Sequence, residues 1–241
     1  MSDLAHEQLH QLTDHVWYYP AHTDPHRVEP VIGVIIAGDS TVLVDGGNSP
    51  RHARRVYAAL DAIAAPPVRH VIFTHFHWDH VVGAQVFDAP VTAHRLCREH
   101  LEAMKALNWG PDYLRLRGEQ MPRMVPVYEM LVDLIDWDTF ELVTPTHVFD
   151  TTHVIELDGL TVSLEHVGGQ HADDSVVVSV DGVMFVGDCY YPPTGEAYHP
   201  DNPPDFAMVE RLLASGHRWY VPGHSAAVTP EAIREWLVAQ D

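Results

Sequence analysis

The segment from Thr74 to His80, which reads THFHWDH, concentrates three histidines and an aspartate within six residues. A protein core would not bury so many polar groups without partners, and neutral imidazole is the commonest protein ligand for metals such as zinc. His75 and His77 alternate as on a strand end or a turn, so both imidazoles can approach one ion. Asp79 and His80 follow as the chain tightens and can face a second ion. The spacing predicts a metal site, and the alternative is a surface histidine run without function.

The residues before this cluster are expected to form the elements that position it. Two short β-branched runs, Val31–Ala37 and Thr41–Asp45, flank a Gly-Asp-Ser turn and are typical of a hairpin. A helix is predicted from about Arg51 to Ile63, and the apolar run Val68–Thr74 then leads directly into the histidines. The cluster therefore lies at the C-terminal end of a strand, which is the edge where ligand sites of α/β proteins form.

The second half of the chain repeats this organisation. Turn signals at Asp158-Gly159 and Asp181-Gly182 separate runs with strand character. The predicted strands are His147–Phe149, His153–Leu157, Leu160–Glu165, Ser175–Val180, Val183–Val186 and Arg218–Val221, and the predicted helices are Pro204–Ser215 and Pro230–Gln240. Two β-rich halves followed by helices predict an α/β fold, a four-layer αβ/βα sandwich of two mixed β-sheets flanked by helices.

Between the two halves, strand signals vanish over about 95–146, and helical spacing replaces them. Two sets of apolar residues show this spacing: Leu96, Leu101, Met104 and Leu107, then Met124, Tyr128, Leu131, Leu134 and Ile135. One interpretation is a helical insertion that packs on the body of the protein. The other is a lid over the site, because long insertions rich in aromatic residues often shape pockets. The aromatic residues are Trp109, Tyr113, Tyr128 and Trp137.

Composition limits the class of protein and its partners. The chain has 241 residues, 46% of them hydrophobic, which predicts one domain over 1–241. It contains no stretch of roughly 20 apolar residues and its N-terminus is polar, so we expect a soluble, cytoplasmic protein without a membrane partner. Two cysteines, Cys97 and Cys189, are too few for a disulfide framework. The net charge of −20 disfavours a nucleic-acid partner. Nothing predicts an oligomeric state.

The HFHWDH run resembles the HxHxDH signature of the metallo-β-lactamase superfamily, and further motifs appear in the order that this family shows. Gln170–Ser175 resembles the GHTxGS element, and Phe185–Asp188 resembles the strand that delivers a bridging aspartate. Pro222–Ser225 resembles the terminal histidine loop, and Val42–Gly46 resembles the early LIDTG-like strand. Four motifs in order are far more specific than one, and they extend over nearly the whole chain outside the insertion.

The resemblance implies a complete set of ligands for two divalent ions. His75, His77 and His171 would hold the first ion, Asp79, His80 and His224 would hold the second, and Asp188 would bridge them. His166 competes for the position of His171, but Ser175 stands four residues after His171, as the family pattern requires. Nitrogen and carboxylate ligands without a thiolate suit zinc, although iron or manganese also occupies such sites.

The implied activity is that of a binuclear metallo-hydrolase. Two ions produce a bridging hydroxide at neutral pH, and this hydroxide would attack a small-molecule substrate with a hydrolysable acyl group. Asp188 argues against a β-lactamase, because the β-lactamases of the superfamily lack that aspartate, whereas its thioesterases, lactonases and phosphodiesterases carry it. A carboxylic ester, thioester or lactone is the expected substrate, because a phosphodiesterase usually needs a basic exosite, which is weak here. Asp79 or a metal-bound water would protonate the leaving group. Tyr191 resembles the carbonyl-contacting tyrosine of the lactonases, with a packing role as the alternative. A phosphodiesterase, a β-lactamase-like amidase and a single-iron sulfur dioxygenase stay open.

Overall fold

A sheet of seven strands forms one face of the computed structural model, which describes residues 8–24, 27–194, 199 and 201–239. Its spatial order is the chain order, β1 to β7. The first four strands pair antiparallel, and β4 to β7 pair parallel. The strands are β1 (His10–Gln11), β2 (Val16–Tyr19), β3 (Ile32–Ala37), β4 (Ser40–Val44), β5 (Val68–Ile72), β6 (Val91–His94) and β7 (His147–Phe149).

A second sheet of five strands has the order β12-β11-β10-β9-β8. Its neighbours are antiparallel except for β11 and β12, which run parallel. The strands are β8 (Thr152–Leu157), β9 (Leu160–His166), β10 (Val176–Val180), β11 (Val183–Gly187) and β12 (Trp219–Pro222). Both sheets are therefore mixed, as the sequence predicts.

Helices cover the outer face of each sheet. They are α1 (Pro50–Ala62), α2 (Trp78–Val81), α3 (Arg95–Ala106), α4 (Pro111–Gln120), α5 (Val125–Leu134), α6 (Phe206–Leu213) and α7 (Pro230–Val238), with short 3₁₀ helices at Val82–Val86 and Pro122–Met124. The start of α1 shows why the sequence folds this way, because the Ser49 side chain accepts a hydrogen bond from the His52 backbone N–H and Pro50 occupies the first turn. Within the described ranges, no helix has the length and apolar character needed to cross a lipid bilayer.

The inner faces of the two sheets meet in a core of valine, isoleucine and aromatic side chains. Phe185 of the second sheet packs so closely on the first that a Cβ at Gly33 would lie 2.6 Å from its ring. A separate apolar cluster joins the first sheet to α1 and α3, and another joins the second sheet to α6. The order of layers is helix, sheet, sheet, helix, which confirms the predicted four-layer sandwich.

Most predicted elements match the structure within two residues of their ends, and the differences have local causes. The sequence did not predict β6, whose four residues are too few to show a period, nor β1 and β2. Helix α6 begins at Phe206 rather than at Pro204, because the Asp205 side chain accepts a hydrogen bond from the Met208 backbone N–H and caps it there. Helices α3, α4 and α5 occupy the predicted insertion, between β6 and β7.

We expect Gly33→Ala to lower the free energy of unfolding by about 1–3 kcal/mol, because the new methyl group overlaps the Phe185 ring in a close-packed core. The backbone at Gly33 lies outside the left-handed region, so conformational strain adds nothing. Urea denaturation of Gly33→Ala, Phe185→Leu and the double variant measures the effect. A double variant whose loss equals the sum of the single losses would contradict this contact.

Candidate metal centre

The residues of the candidate site, four of which illustrate the arrangement, follow the ends of strands in both sheets. In the first sheet, Asp45 follows β4 and His75 closely follows the parallel neighbour β5. In the second sheet, Asp188 follows β11 and His224 closely follows the parallel neighbour β12. Parallel neighbours end at the same edge of a sheet, and stacking brings the two edges together. The sandwich therefore assembles one site from segments that are distant in sequence.

Three imidazoles converge in the first cluster. His75 Nε2 lies 3.1 Å from His77 Nδ1, and His77 Nδ1 lies 3.0 Å from His171 Nε2. Zn–N bonds of about 2.0–2.1 Å in a tetrahedron separate the ligand atoms by about 3.3–3.4 Å, close to these distances. His75 is buried, and the other two residues are partly exposed. The cluster fits one divalent ion with a side open to solvent.

A second cluster contains two carboxylates and two imidazoles. Asp79 Oδ2 lies 3.4 Å from His80 Nε2 and 3.1 Å from His224 Nε2. Asp188 Oδ2 lies 3.4 Å from His80 Nε2 and 3.3 Å from His224 Nε2. The four ligand atoms lie within 4.8 Å of one another. This cluster also fits one divalent ion.

One oxygen of Asp188, a member of the second cluster, also lies close to histidine nitrogens of the first. Besides its contacts in the second cluster, Asp188 Oδ2 lies 3.4 Å from His171 Nε2 and 4.0 Å from His75 Nε2. His80 Nε2 and Asp188 Oδ1 are buried and have no hydrogen-bond partner, which is costly unless another group satisfies them. A divalent ion in the second cluster would provide a partner for His80 Nε2, and the two clusters together offer ligand sets that fit two ions.

Asp45 orients this site without joining either cluster, and the sequence analysis did not identify it. Its Oδ1 accepts a hydrogen bond from the Thr74 backbone N–H at 2.7 Å, and its Oδ2 accepts one from His80 Nδ1 at 2.7 Å. This contact leaves His80 Nε2 directed at the second cluster. Similarly, His171 Nδ1 donates to the Pro192 carbonyl at 2.9 Å. The available sequence signal was an aspartate at the end of a strand next to β5.

Burial and neighbouring charges set different protonation states in the two clusters. Burial would lower the pKa of His80 and His224, but Asp79 and Asp188 outweigh it and raise the pKa of His80 well above its usual value and that of His224 to about 9, so a cation that binds there must displace protons. Burial, assisted by His80, lowers the pKa of His75 well below its usual value, and burial, assisted by His171, lowers the pKa of His77 to about 4. Burial would raise the pKa of Asp188, but His80 and His224 outweigh it and hold that pKa well below its usual value. Two neutral imidazoles and a carboxylate ion are the forms that bind a divalent cation.

The structure brings all seven sequence-predicted ligands together and places Tyr191 beside them. The Tyr191 hydroxyl accepts a hydrogen bond from the His224 backbone N–H at 3.4 Å, and its ring centroid lies 6.0 Å from that of His171. The competing His166 lies elsewhere, stacked on His94 at 3.7 Å. Cys189 lies in the apolar cluster between the second sheet and α6 and joins neither ligand cluster.

These features define an α/β sandwich enzyme with two adjoining metal positions. A sequence model described as the metallo-beta-lactamase superfamily matches residues 28–224, so the chain belongs to this superfamily. The superfamily that the sequence motifs predicted is therefore confirmed. Family membership and the two clusters, one of three histidines and one of two histidines and two aspartates, identify the protein as a binuclear metallo-hydrolase.

Solved structures share this fold at low sequence identity. The metallo-beta-lactamase of Hirschia baltica has a TM-score of 0.60 at 18% identity, and the match covers 94% of each chain. The sec-alkylsulfatase Pisa1 of Pseudomonas sp. has a TM-score of 0.69 at 15% identity, over 97% of this chain and 40% of that one. A linear primary-alkylsulfatase of Pseudomonas sp. is 35% identical over 54 residues, which are 22% of this chain and 10% of that protein. The chain therefore spans a minor part of these alkylsulfatases.

We expect Asp45→Asn to weaken binding of the second divalent ion by about 10- to 100-fold, because the amide cannot accept from both Thr74 and His80. Asp45 has a φ of +71°, and asparagine tolerates this region, so backbone strain changes little. Competition with a fluorescent chelator measures the affinity.

The matched control is Asp39→Asn, which removes the same charge at an exposed turn where Asp39 contacts Ser40. It should leave both affinities unchanged. Equal metal affinities in wild type and Asp45→Asn would show that Asp45 does not orient His80.

Proposed function

We propose that the protein hydrolyses a carboxylic ester, thioester or lactone of a small molecule at the two clusters. The observation that carries this proposal is the shared Asp188 oxygen, which lies between 3.3 and 4.0 Å from ligand nitrogens of both clusters. A bridging carboxylate holds two cations close enough to act on one water and one substrate. Within the superfamily, the resemblance associates this aspartate with thioesterases, lactonases and phosphodiesterases, and the scarcity of basic residues favours the first two.

The ligand sets assign a position to each ion. We propose that His75, His77 and His171 hold the first ion, and that Asp79, His80 and His224 hold the second, with Asp188 between them. Two divalent ions here would lower the pKa of a bound water towards neutrality and stabilise negative charge on a substrate oxygen. Zinc is the expected metal because the ligands are imidazoles and carboxylates.

Asp79 and Tyr191 are the proposed catalytic residues. Asp79 borders the second cluster, where its carboxyl group can orient the attacking water and pass a proton to the leaving group. The Tyr191 hydroxyl lies beside His224, where it can donate to the oxygen that becomes negative during attack. Burial, followed by the charge of Asp188, raises the pKa of Tyr191, so this hydroxyl keeps its proton at neutral pH.

Sulfate-ester hydrolysis is a second candidate, favoured by the 54 residues that are 35% identical to the linear primary-alkylsulfatase. The sec-alkylsulfatase Pisa1 shares this fold with a TM-score of 0.69, above the 0.60 of the Hirschia baltica enzyme. Its identity of 15% supports the fold rather than the substrate. The second cluster argues against a dioxygenase that uses a single iron.

A substrate panel distinguishes these candidates. Metal-loaded protein should cleave aryl esters, thioesters or lactones with kcat/KM at least about tenfold above its values for alkyl sulfates, bis-p-nitrophenyl phosphate and cephalosporins. The aspartate argues against a β-lactamase, and the small number of basic residues, 14 against 34 acidic ones, argues against a phosphodiesterase. The tenfold margin corresponds to about 1.4 kcal/mol in the transition state. Highest activity on alkyl sulfates would replace the proposal with the second candidate.

Substitutions at Asp79 and Tyr191 test their roles. Asp79→Asn should reduce kcat/KM much more than Tyr191→Phe, which removes one hydrogen bond and should cost at most about 10²-fold. Activity should rise with pH as the nucleophile ionises and then level off. Because the raised pKa keeps Tyr191 neutral, Tyr191→Phe should lower the profile equally at every pH between about 6 and 9.

Metal content, measured for each variant by elemental analysis, is the control. Asp79→Asn with full metal occupancy and near-wild-type activity would contradict the role assigned to Asp79. A Tyr191→Phe profile that changes shape with pH would contradict a neutral donor.

A further inference from the structure

The helical insertion and the segment Phe76–Trp78 line an aromatic pocket with a volume of about 210 Å³. The segment contributes Phe76, His77 and Trp78, and the insertion contributes Trp109, Tyr113 and Arg117. The pocket is therefore formed between the predicted insertion and the segment that carries the first ligands.

This pocket lies next to the first cluster. His77 lines it, and Nδ1 of the same imidazole lies 3.0 Å from His171 Nε2. A substrate whose scissile bond lies at the clusters can therefore place one substituent in the pocket. Aromatic walls favour a ring or a short aliphatic chain.

Arg117 gives this aromatic pocket a positive charge that no carboxylate neutralises. Its Nη1 donates to Gln120 Oε1 at 2.8 Å and its Nη2 donates to Met121 Sδ at 3.2 Å, and both acceptors are uncharged. The ion pairs formed by described residues include none with Arg117. Two residues earlier, the exposed Arg115 pairs with Asp112 at 2.9 Å. The chain has 34 acidic and 14 basic residues, so a shortage of carboxylates does not explain why Arg117 forms no ion pair with a described residue.

We propose that the pocket binds the anionic end of an aromatic or short-chain substrate, with Arg117 as the residue that selects for the negative charge. The preferred substrate then has the bond to be cleaved at the clusters and a second group, carboxylate or sulfate, that reaches Arg117. A guanidinium binds either oxyanion through two parallel hydrogen bonds. This inference rests on the proposed hydrolase function and specifies its substrate class.

An organic cation is the competing ligand for such a pocket. Aromatic walls attract ammonium groups, and the net charge of −20 attracts cations and repels anions at long range. Arg117 in the wall reverses this preference, because the repulsion between two unit charges at contact exceeds the screened field of distant residues. The charge of Arg117 therefore makes the pocket prefer an anion to a cation.

Binding of small probes tests the pocket without any turnover. Trp78 and Trp109 line it, so tryptophan fluorescence of the metal-loaded protein can follow titration with hexanesulfonate, 1-hexanol and hexyltrimethylammonium. Sulfonate is a weak metal ligand, which directs the anion to Arg117. We expect hexanesulfonate to bind most tightly and to lose about tenfold or more in affinity in Arg117→Met. Arg115→Met, an equal loss of charge on the same helix, should bind like wild type.

Turnover then identifies the anionic group that the pocket selects. The mono-p-nitrophenyl ester of adipic acid should be hydrolysed with a lower KM than neutral p-nitrophenyl hexanoate, and Arg117→Met should remove this difference. Hexyl sulfate, added as a competitor, should inhibit wild type more strongly than Arg117→Met if the pocket also accepts sulfate.

Tightest binding of hexyltrimethylammonium, or equal hexanesulfonate affinity in wild type and Arg117→Met, would overturn the inference. Binding that depends on Arg117 without cleavage of any ester supports the pocket and contradicts only the proposed ester hydrolysis. Ester cleavage that does not depend on Arg117 supports the proposed ester hydrolysis and contradicts only the pocket inference. The two proposals therefore fail separately.

Discussion

The buried carboxylate of Asp188 connects the two halves of the site, and the remaining geometry depends on it. Asp188 follows β11 of the second sheet, while His75 and His80 follow β5 of the first, and one Asp188 oxygen lies within 4.0 Å of a nitrogen of each histidine. An ionised carboxylate out of water costs several kcal/mol unless cations or hydrogen bonds compensate it. Protonated imidazoles can compensate the charge of Asp188 in the metal-free protein, and two divalent ions would compensate it more completely. The demand for compensation is a physical reason for the ligand set around Asp188.

The sandwich must hold these ligands in place before any ion binds. A Cβ at Gly223 would collide with Asp188 Oδ1 and lie 2.9 Å from His80 Cε1, so the chain passes the site where only glycine fits. Farther from the site, Gly33 permits the Phe185 ring to fill the space between the sheets. The Gly33 contact lets the two sheets pack closely, and Gly223 lets the chain after β12 pass close to Asp188 and His80.

Sequence patterns predicted the ligands more completely than the surroundings of the site. The HFHWDH run contains four of the seven clustered residues within six positions, and its chemistry can be read without knowing the fold. The contact of Asp45 with His80 spans 35 positions and arises only because β4 and β5 are parallel neighbours, which no local pattern shows. Likewise, helical spacing predicted the insertion, but only the structure shows Arg117 lining a pocket with His77.

Two ions that share Asp188 are the central claim, and their magnetic coupling tests it most directly. Protein loaded with two equivalents of Mn²⁺ should give the electron paramagnetic resonance spectrum of an exchange-coupled pair, with two ions per chain by elemental analysis. Asp188→Ala should lose this coupling and at least one ion, because Asp188 is the carboxylate common to both clusters. A single tightly bound ion, uncoupled and unchanged in Asp188→Ala, would contradict the binuclear centre described for this protein.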